Sequence, residues 1–503
     1  MVSFSDTEKQ DLARLDQSSP DLTNSGQQSV DSQLDYTPEE ERAIVRRVDL
    51  CLLPGLTFLY LLSFLDRTNV GLARAQGMLK DIGLANKPQA YNTALALFFV
   101  GYVVFEIPAQ LVLKKFNPRV VLPTLTILFG VTSTLQCLIS NEVGFYIGRT
   151  ALGVAEAGTF PGIVFVLSTF YKRKERTMRV SLFFGGAALA GAFGGILGYA
   201  ISFVDGGGLP SWGWLFAIEG MFTVLVGISA YWWVPSGVRG AKFLTERQRI
   251  ILIERLKSDG GVDDDEPFSW KGAWDAFKDP FVHGYGWLFH CFAFSLYSLS
   301  LFLPTIIQQL GYASWRAQLL TVPIYALAFL AIIVFCWFSH RINQRGTGIA
   351  VAGVVAIIGY LILILTNTAG ARLVGAFFAV GGCYAANCEY IVLDVDALLL
   401  SWPSENVSPQ TKRAVTSGNQ IFIGDIGAIT GSLVYSPSLS KNFYRVPHGV
   451  AILFTGLGCI LALSLSLGMR RANVTDNAGR AEFVEKKGEE ARGDRRRGYK
   501  FQI

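Results

Sequence analysis

Four ionisable side chains in this sequence stand where water is scarce. Asp66 and Arg67 close an apolar run in FLDRTNVG (residues 64–71), and Arg149 and Glu156 lie seven residues apart in another, GRTALGVAEAG (148–158). Seven residues is close to two helical turns, so on a helix Arg149 and Glu156 share a face about 10 Å apart along the axis. A guanidinium is a planar fork of donors that matches a carboxylate and stays charged in any protein setting. Two of them facing one hollow would hold an anion. The protonation of an acid beside an Arg depends on whether an anion occupies that Arg, which is the logic of moving a proton and an anion together. Internal ion pairs that lock helices are the competing reading. Glu106 in FEIP and Asp425 are further acids in apolar surroundings, and Gln110, Asn387, Asn419 and Gln420 are polar side chains that could line a cavity. For these six, hydrogen bonding between packed helices is the default reading.

The elements that must position these groups are membrane helices. Of 503 residues, 51% are hydrophobic and 17% charged, and the positive mean hydropathy of +0.37 is hard to reconcile with a soluble domain of this size. Residues 50–65, 94–113, 216–234 and 450–467 approach or reach the roughly 20 apolar residues that cross a hydrocarbon core about 30 Å thick. An ionisable group at that depth costs on the order of 2.5–3.5 kcal/mol on insertion scales, so each needs a partner, water or a task.

Breaking the apolar runs at Pro, Gly and charge gives spans near 50–66, 91–113, 120–139, 143–168, 180–203 and 213–234, then 281–303, 317–338, 348–366, 372–400, 415–435 and 449–468. The expected fold is therefore all-α and integral to the membrane, with twelve transmembrane helices in two six-helix bundles. The domains are a disordered cytoplasmic tail (1–44), the first bundle (45–234), a cytoplasmic linker carrying four consecutive acids at 263–266 (235–280), the second bundle (281–470) and a cytoplasmic tail (471–503). Spans five and eleven are both rich in glycine, so the halves echo each other as internal repeats do, although close helix packing alone explains small residues in lipid.

Sidedness follows from Lys and Arg in short loops. Lys114, Lys115 and Arg119, then Lys172 to Arg179, Arg341 with Arg345, and Lys412 with Arg413 all fall on one side, which puts both termini in the cytoplasm and leaves Asn406 and Asn473 unglycosylated. Seven cysteines, unpaired in any motif, imply neither disulfide nor metal. His283, His290, His340 and His448 form no metal-spaced pair, no Gly-x-Ser-x-Gly elbow is present, and no cofactor is implied, so an enzyme is disfavoured. A net charge of +5 calls for no nucleic-acid partner.

Residues 45–470 resemble the major facilitator superfamily, in the fungal branch of the anion:cation symporters that includes allantoate and high-affinity nicotinic acid permeases. The resemblance is carried by FLDRTNVG (64–71), GYVVFEIP (101–108), GRTALGVAEAGTFPG (148–162), FYKRKER (170–176) and LSWPSENVSPQTKRA (400–414). It implies two bundles rocking about a midplane cavity, with Asp66 and Glu156 as proton-coupling sites and Arg67 and Arg149 as substrate contacts. Asn387 and Gln420 complete the candidate substrate-binding set. The sequence departs from the family in two places: KKFNPRV (114–120) only faintly resembles the superfamily's gating loop, and CEYIVLDVD (388–396) intervenes where relatives run on directly. The resulting expectation is a monomeric plasma-membrane transporter that carries a small organic anion, nicotinate or a related acid, together with protons. Export of a metabolite and a nutrient receptor that does not transport are the alternatives.

Overall fold

The structure is a computed structural model that describes residues 36–474 apart from positions 88, 205, 259–269, 343, 393–409, 436–438, 440 and 441. Residues 1–35 and 475–503 of the two expected tails, the four acids at 263–266, Asn406 and the distal part of the 388–396 departure lie outside the described residues, whereas 38–44 and 471–474 of those tails belong to the first and last long helices.

Helix starts are written locally. Thr37, Asn117 and Asp279 each precede a proline, and their side chains accept from the backbone N–H of Glu40, Arg119 and Phe281, at 3.2, 2.9 and 2.9 Å. An oxygen-bearing cap followed by Pro at the first helical position satisfies an orphan donor and presets the backbone. Asn141 caps in the same way through Gly144, at 2.7 Å.

Among the described residues there are twelve long helices: α1 (Pro38–Ala75), α2 (Gln89–Lys115), α3 (Pro118–Leu135), α4 (Glu142–Phe170), α5 (Arg173–Ile201), α6 (Ser211–Trp233), α7 (Pro280–Gln308), α8 (Ser314–Ile342), α9 (Arg345–Leu365), α10 (Ala369–Val392), α11 (Gln410–Val434) and α12 (Arg445–Val474). Among the described residues, ten of these are long and apolar enough to cross a membrane. The other two, α2 and α11, are 27 and 25 residues long and carry Glu106 and Asp425. α4 is interrupted between Glu156 and Thr159. Pro161 has no N–H to give the carbonyl of Ala157, so the ladder cannot run through this point.

Helices α1–α6 pack among themselves, as do α7–α12, and the two groups meet through α1 with α7, α2 with α11, and α5 with α8 and α10. α1 is buried all round from Leu59 to Ala73, and α7 is nearly so from Leu288 to Ile307. A helix buried on every face sits at the centre of an assembly. Gly71 allows the close approach of these two, since a Cβ there would stand 2.7 Å from the carbonyl oxygen of Leu301. Outward-facing positions are apolar instead, for example Leu225, Leu453 and Ile460, as lipid contact requires.

Hydrogen bonds between the bundles gather at the end remote from Pro38. Gln308 and Ser314 both donate to the carbonyl of Ala75 (2.7 and 2.8 Å), Tyr91 donates to that of Leu301 (3.3 Å), and Asn92 to those of Ser432 and Tyr435 (2.5 and 3.2 Å). At the opposite end the charged contacts stay on the first bundle: Arg179 grips Asp49 with two bonds of 2.6 and 2.7 Å, and Arg255 of the linker helix Glu246–Ser258 pairs with Glu41 and Glu175.

α2 and α4 are held close by two glycines. A Cβ on Gly101 would stand 2.8 Å from the Thr150 carbonyl, and one on Gly153 would overlap the carbonyl of Phe98. Neither helix can yield backbone, so overpacking here is destabilising by about 1–3 kcal/mol or more. Gly153→Leu is therefore expected to lose the monodisperse peak in fluorescence-detected size-exclusion chromatography. Gly370→Leu, which meets nothing within 4 Å, is expected to retain it.

Candidate functional site

Between the interruption in α4 and the middle of α1, a guanidinium and a carboxylate are sealed from solvent together. Arg67 donates through Nε and Nη2 to Oε2 of Glu156, at 3.1 and 2.8 Å, and Ser63, one helical turn earlier on α1, donates to the same oxygen at 3.1 Å. The third nitrogen of Arg67, Nη1, crosses to the second bundle and donates to the hydroxyl of Tyr297 on α7, at 2.9 Å. Rings of Phe98, Tyr102 and Tyr297 stand 5.1, 5.1 and 5.8 Å from the guanidinium carbon. Aromatic faces supply negative potential to a cation that has lost its water.

Arg149 lies behind this pair. It is fully buried, reaches the backbone carbonyl of Arg67 with Nη2 at 3.2 Å, and lies over the same Phe98 ring at 4.9 Å. Its Nε and Nη1 are buried without a hydrogen-bond partner. Buried polar groups are normally satisfied, so two idle donors on a charged group demand an explanation. Glu156 has the complementary deficit, because its Oε1 also lacks a partner.

Asp66 neighbours Arg67 in sequence but points elsewhere. Its two oxygens accept from Ser133 on α3, at 2.7 Å, and from Thr223 on α6, at 3.2 Å. Close to it is an acid the sequence reading passed over: Glu219 of α6 is buried and accepts from the side chain of Asn69. The signal was present, an acid inside the apolar run of span six, and the rule applied to Arg149 would have singled it out.

A cavity of about 50 Å³ opens on Arg67 at the bundle interface. Glu106 of α2 and Asp425 of α11 face it from opposite bundles, with Tyr60, Tyr102 and Tyr297 among its walls. Arg149 is not in that lining. Asn387 is buried and donates to the carbonyls of Phe292 and Cys383, at 3.1 and 2.9 Å, which ties α10 to α7 outside the cavity wall. Gln420 is buried on α11 beside Ile421, which does face the cavity.

Twelve long helices in two bundles, with charge sealed at the seam between them, define a multi-pass membrane protein. Residues 56–432 match the family model described as Major Facilitator Superfamily, and the chain belongs to that superfamily. It is 30% identical to the MFS-type transporter efuF of Hormonema carpetanum over 87% of each chain. It is 28% identical to the major facilitator-type transporter hxnP of Emericella nidulans over 84% of each. Among solved structures it is similar to a bacterial homologue of the human lysosomal transporter Spinster, with a TM-score of 0.63, 16% identity, and coverage of 86% of this chain and 98% of that one. The protein is thus a membrane transporter.

Removing one partner of a buried ion pair strands the other and costs about 3–5 kcal/mol, whereas replacing both with apolar groups is often neutral. Arg67→Leu and Glu156→Leu are each expected to lower the melting temperature of the detergent-solubilised protein. The double variant is expected to recover most of that loss while remaining inactive. Additive losses in the double variant would show that the two side chains do not depend on each other.

Proposed function

We propose that the protein carries a small organic carboxylate across the membrane together with protons, by alternating access, with nicotinate or a related acid as the best single candidate. The observation that supports this most directly is the pair of idle, buried donors on Arg149 beside an Arg67 already matched to Glu156. In the empty state Glu156 is the internal anion of Arg67. A proton taken up at Glu156 loosens that pair, and an incoming carboxylate takes its place on Arg67 and Arg149. The proton offsets the negative charge the carboxylate brings to this end of the site, so anion and proton favour each other's binding, and the linkage is reciprocal.

Asp66, tied to α3 and α6 by Ser133 and Thr223, serves as a second proton site through which the first bundle senses the same event. Asn387 ties α10 to α7 behind the opposite wall, and Gln420 lies on α11, which supplies Ile421 and Asp425 to that wall. The motifs around residues 64–71 and 400–414 support placement among the anion:cation symporters. The loops rich in Lys and Arg support cytoplasmic termini, and the membrane we assign is the plasma membrane. Because both bundles and the whole cavity come from one chain, a single copy suffices. The chemistry is reversible, so the gradient, rather than the site, sets the direction of flux.

The reading is tested by purified full-length protein in proteoliposomes, screened with a panel of pyridine carboxylates, ureides and other organic acids under an imposed pH gradient. Accumulation of at least one carboxylate that disappears when the gradient is collapsed is expected, and a panel without any flux would overturn it. Arg149→Ala, correctly inserted, is expected to abolish that uptake, and retained uptake would remove Arg149 from the site. Glu156→Gln is expected to allow exchange of labelled for unlabelled substrate but no uphill accumulation. Gradient-driven accumulation by that variant would refute its coupling role.

A further inference from the structure

The cavity on Arg67 holds more acid than the carboxylate reading uses. Glu106 and Asp425 reach it from α2 and α11, each 5% exposed. None of the described ion pairs includes either residue. Oδ2 of Asp425 is buried without any hydrogen-bond partner. Among the described residues the one cation facing the cavity is Arg67, and its three nitrogens are engaged by Glu156 and Tyr297. The remaining walls are aromatic, including Tyr60, Tyr102, Phe160 and Tyr297.

Two carboxyl groups that form no ion pair among the described residues, set among aromatic faces and facing an Arg67 whose nitrogens are bonded elsewhere, are what an ammonium or pyridinium group requires. The carboxyls supply opposite charge, and the rings supply the quadrupole potential that replaces hydration around a cation. About 50 Å³ is room for one or two waters. It therefore suits a nitrogen head rather than a whole solute, and a complete substrate needs the bundles to part. Since Glu106 belongs to one bundle and Asp425 to the other, a positive group between them would draw the bundles together.

We propose that the transported carboxylate also bears a positively charged nitrogen, which docks between Glu106 and Asp425 while its carboxylate engages Arg67 and Arg149, so that the substrate is a small zwitterion. This rests on the carboxylate reading above and narrows its substrate class to amino acids, betaines and pyridine carboxylates whose ring nitrogen is protonated or alkylated.

The test uses pairs of probes that differ only in the nitrogen: glycine betaine against 3,3-dimethylbutyrate, and N-methylnicotinate against 3-methylbenzoate. Binding to the purified full-length protein is followed by tryptophan fluorescence and by thermal shift. The wild type is expected to bind each zwitterion at least about tenfold more tightly than its neutral-headed isostere, a difference of about 1.4 kcal/mol. Glu106→Gln and Asp425→Asn, which keep side-chain volume, are each expected to reduce that ratio toward one, and Arg149→Ala to weaken both members of a pair alike. Equal binding of the two members by the wild type, or ratios unchanged in both carboxamide variants, would overturn the inference while leaving the carboxylate reading intact. Failure of both members to bind at all would instead remove the carboxylate reading. An altered pH dependence with an unchanged ratio would assign the two acids to proton carriage and so also overturn the inference.

Discussion

A guanidinium in lipid surroundings has nowhere to find water, and the Arg67–Glu156 pair is the constraint around which the first bundle is arranged. Glu156 stands where α4 is interrupted, Ser63 and Arg67 occupy successive turns of α1, and Phe98 of α2 supports both Arg67 and Arg149. Gly101 and Gly153 let α2 and α4 approach closely enough for that single ring to reach both cations. Loss of either charge would leave the other uncompensated in a medium where an isolated ion is expensive. The packing of three helices is therefore tied to one bond network.

The hydrophobic pattern made the architecture legible, because lipid turns every spanning helix into a long apolar run and punishes ambiguity at its ends. The boundaries near 213–234 and 281–303, for example, meet α6 (Ser211–Trp233) and the larger part of α7 (Pro280–Gln308). What periodicity could not supply was the direction in which each charge points. Asp66 and Arg67 are adjacent in sequence, hence about 100° apart on a helix. That angle sends one toward α3 and α6 and the other toward α4 and α7. The sequence treated them as one dipeptide, whereas the fold gives them separate partners. Tyr297 was invisible for a related reason: nothing in a serine-rich and aromatic-rich run distinguishes the hydroxyl that meets Arg67 from its neighbours.

Among the described residues, five buried acids, Asp66, Glu106, Glu156, Glu219 and Asp425, share the helical interior with the guanidinium groups of Arg67 and Arg149, while the two other buried guanidinium groups, those of Arg255 and Arg372, lie on the linker helix and in the first turn of α10. Charge balance at such depth has to be made up by protons or by cationic guests, since solvent cannot do it. The acids are not equivalent in this respect. Asp66, Glu156 and Glu219 take hydrogen bonds from side chains of their own bundle, whereas Glu106 and Asp425 face each other's bundle across a hollow. The first three can keep their environment as the bundles move, and the last two cannot.

That division follows from which bonds cross the seam. Arg67 and Glu156 both belong to the first bundle, so a rocking motion leaves their bond in place. The bond from Nη1 of Arg67 to Tyr297 joins the two bundles and must break when the seam opens at that depth. Parting the bundles would therefore free one donor of Arg67, while the other two stay on Glu156 for as long as that carboxylate remains charged. Under the proposed carboxylate transport, the substrate would satisfy the freed donor once the bundles part, as Tyr297 satisfies it here. The same nitrogen is thus never left unpaired in either arrangement, which removes a penalty of about 1–3 kcal/mol that would otherwise oppose the movement.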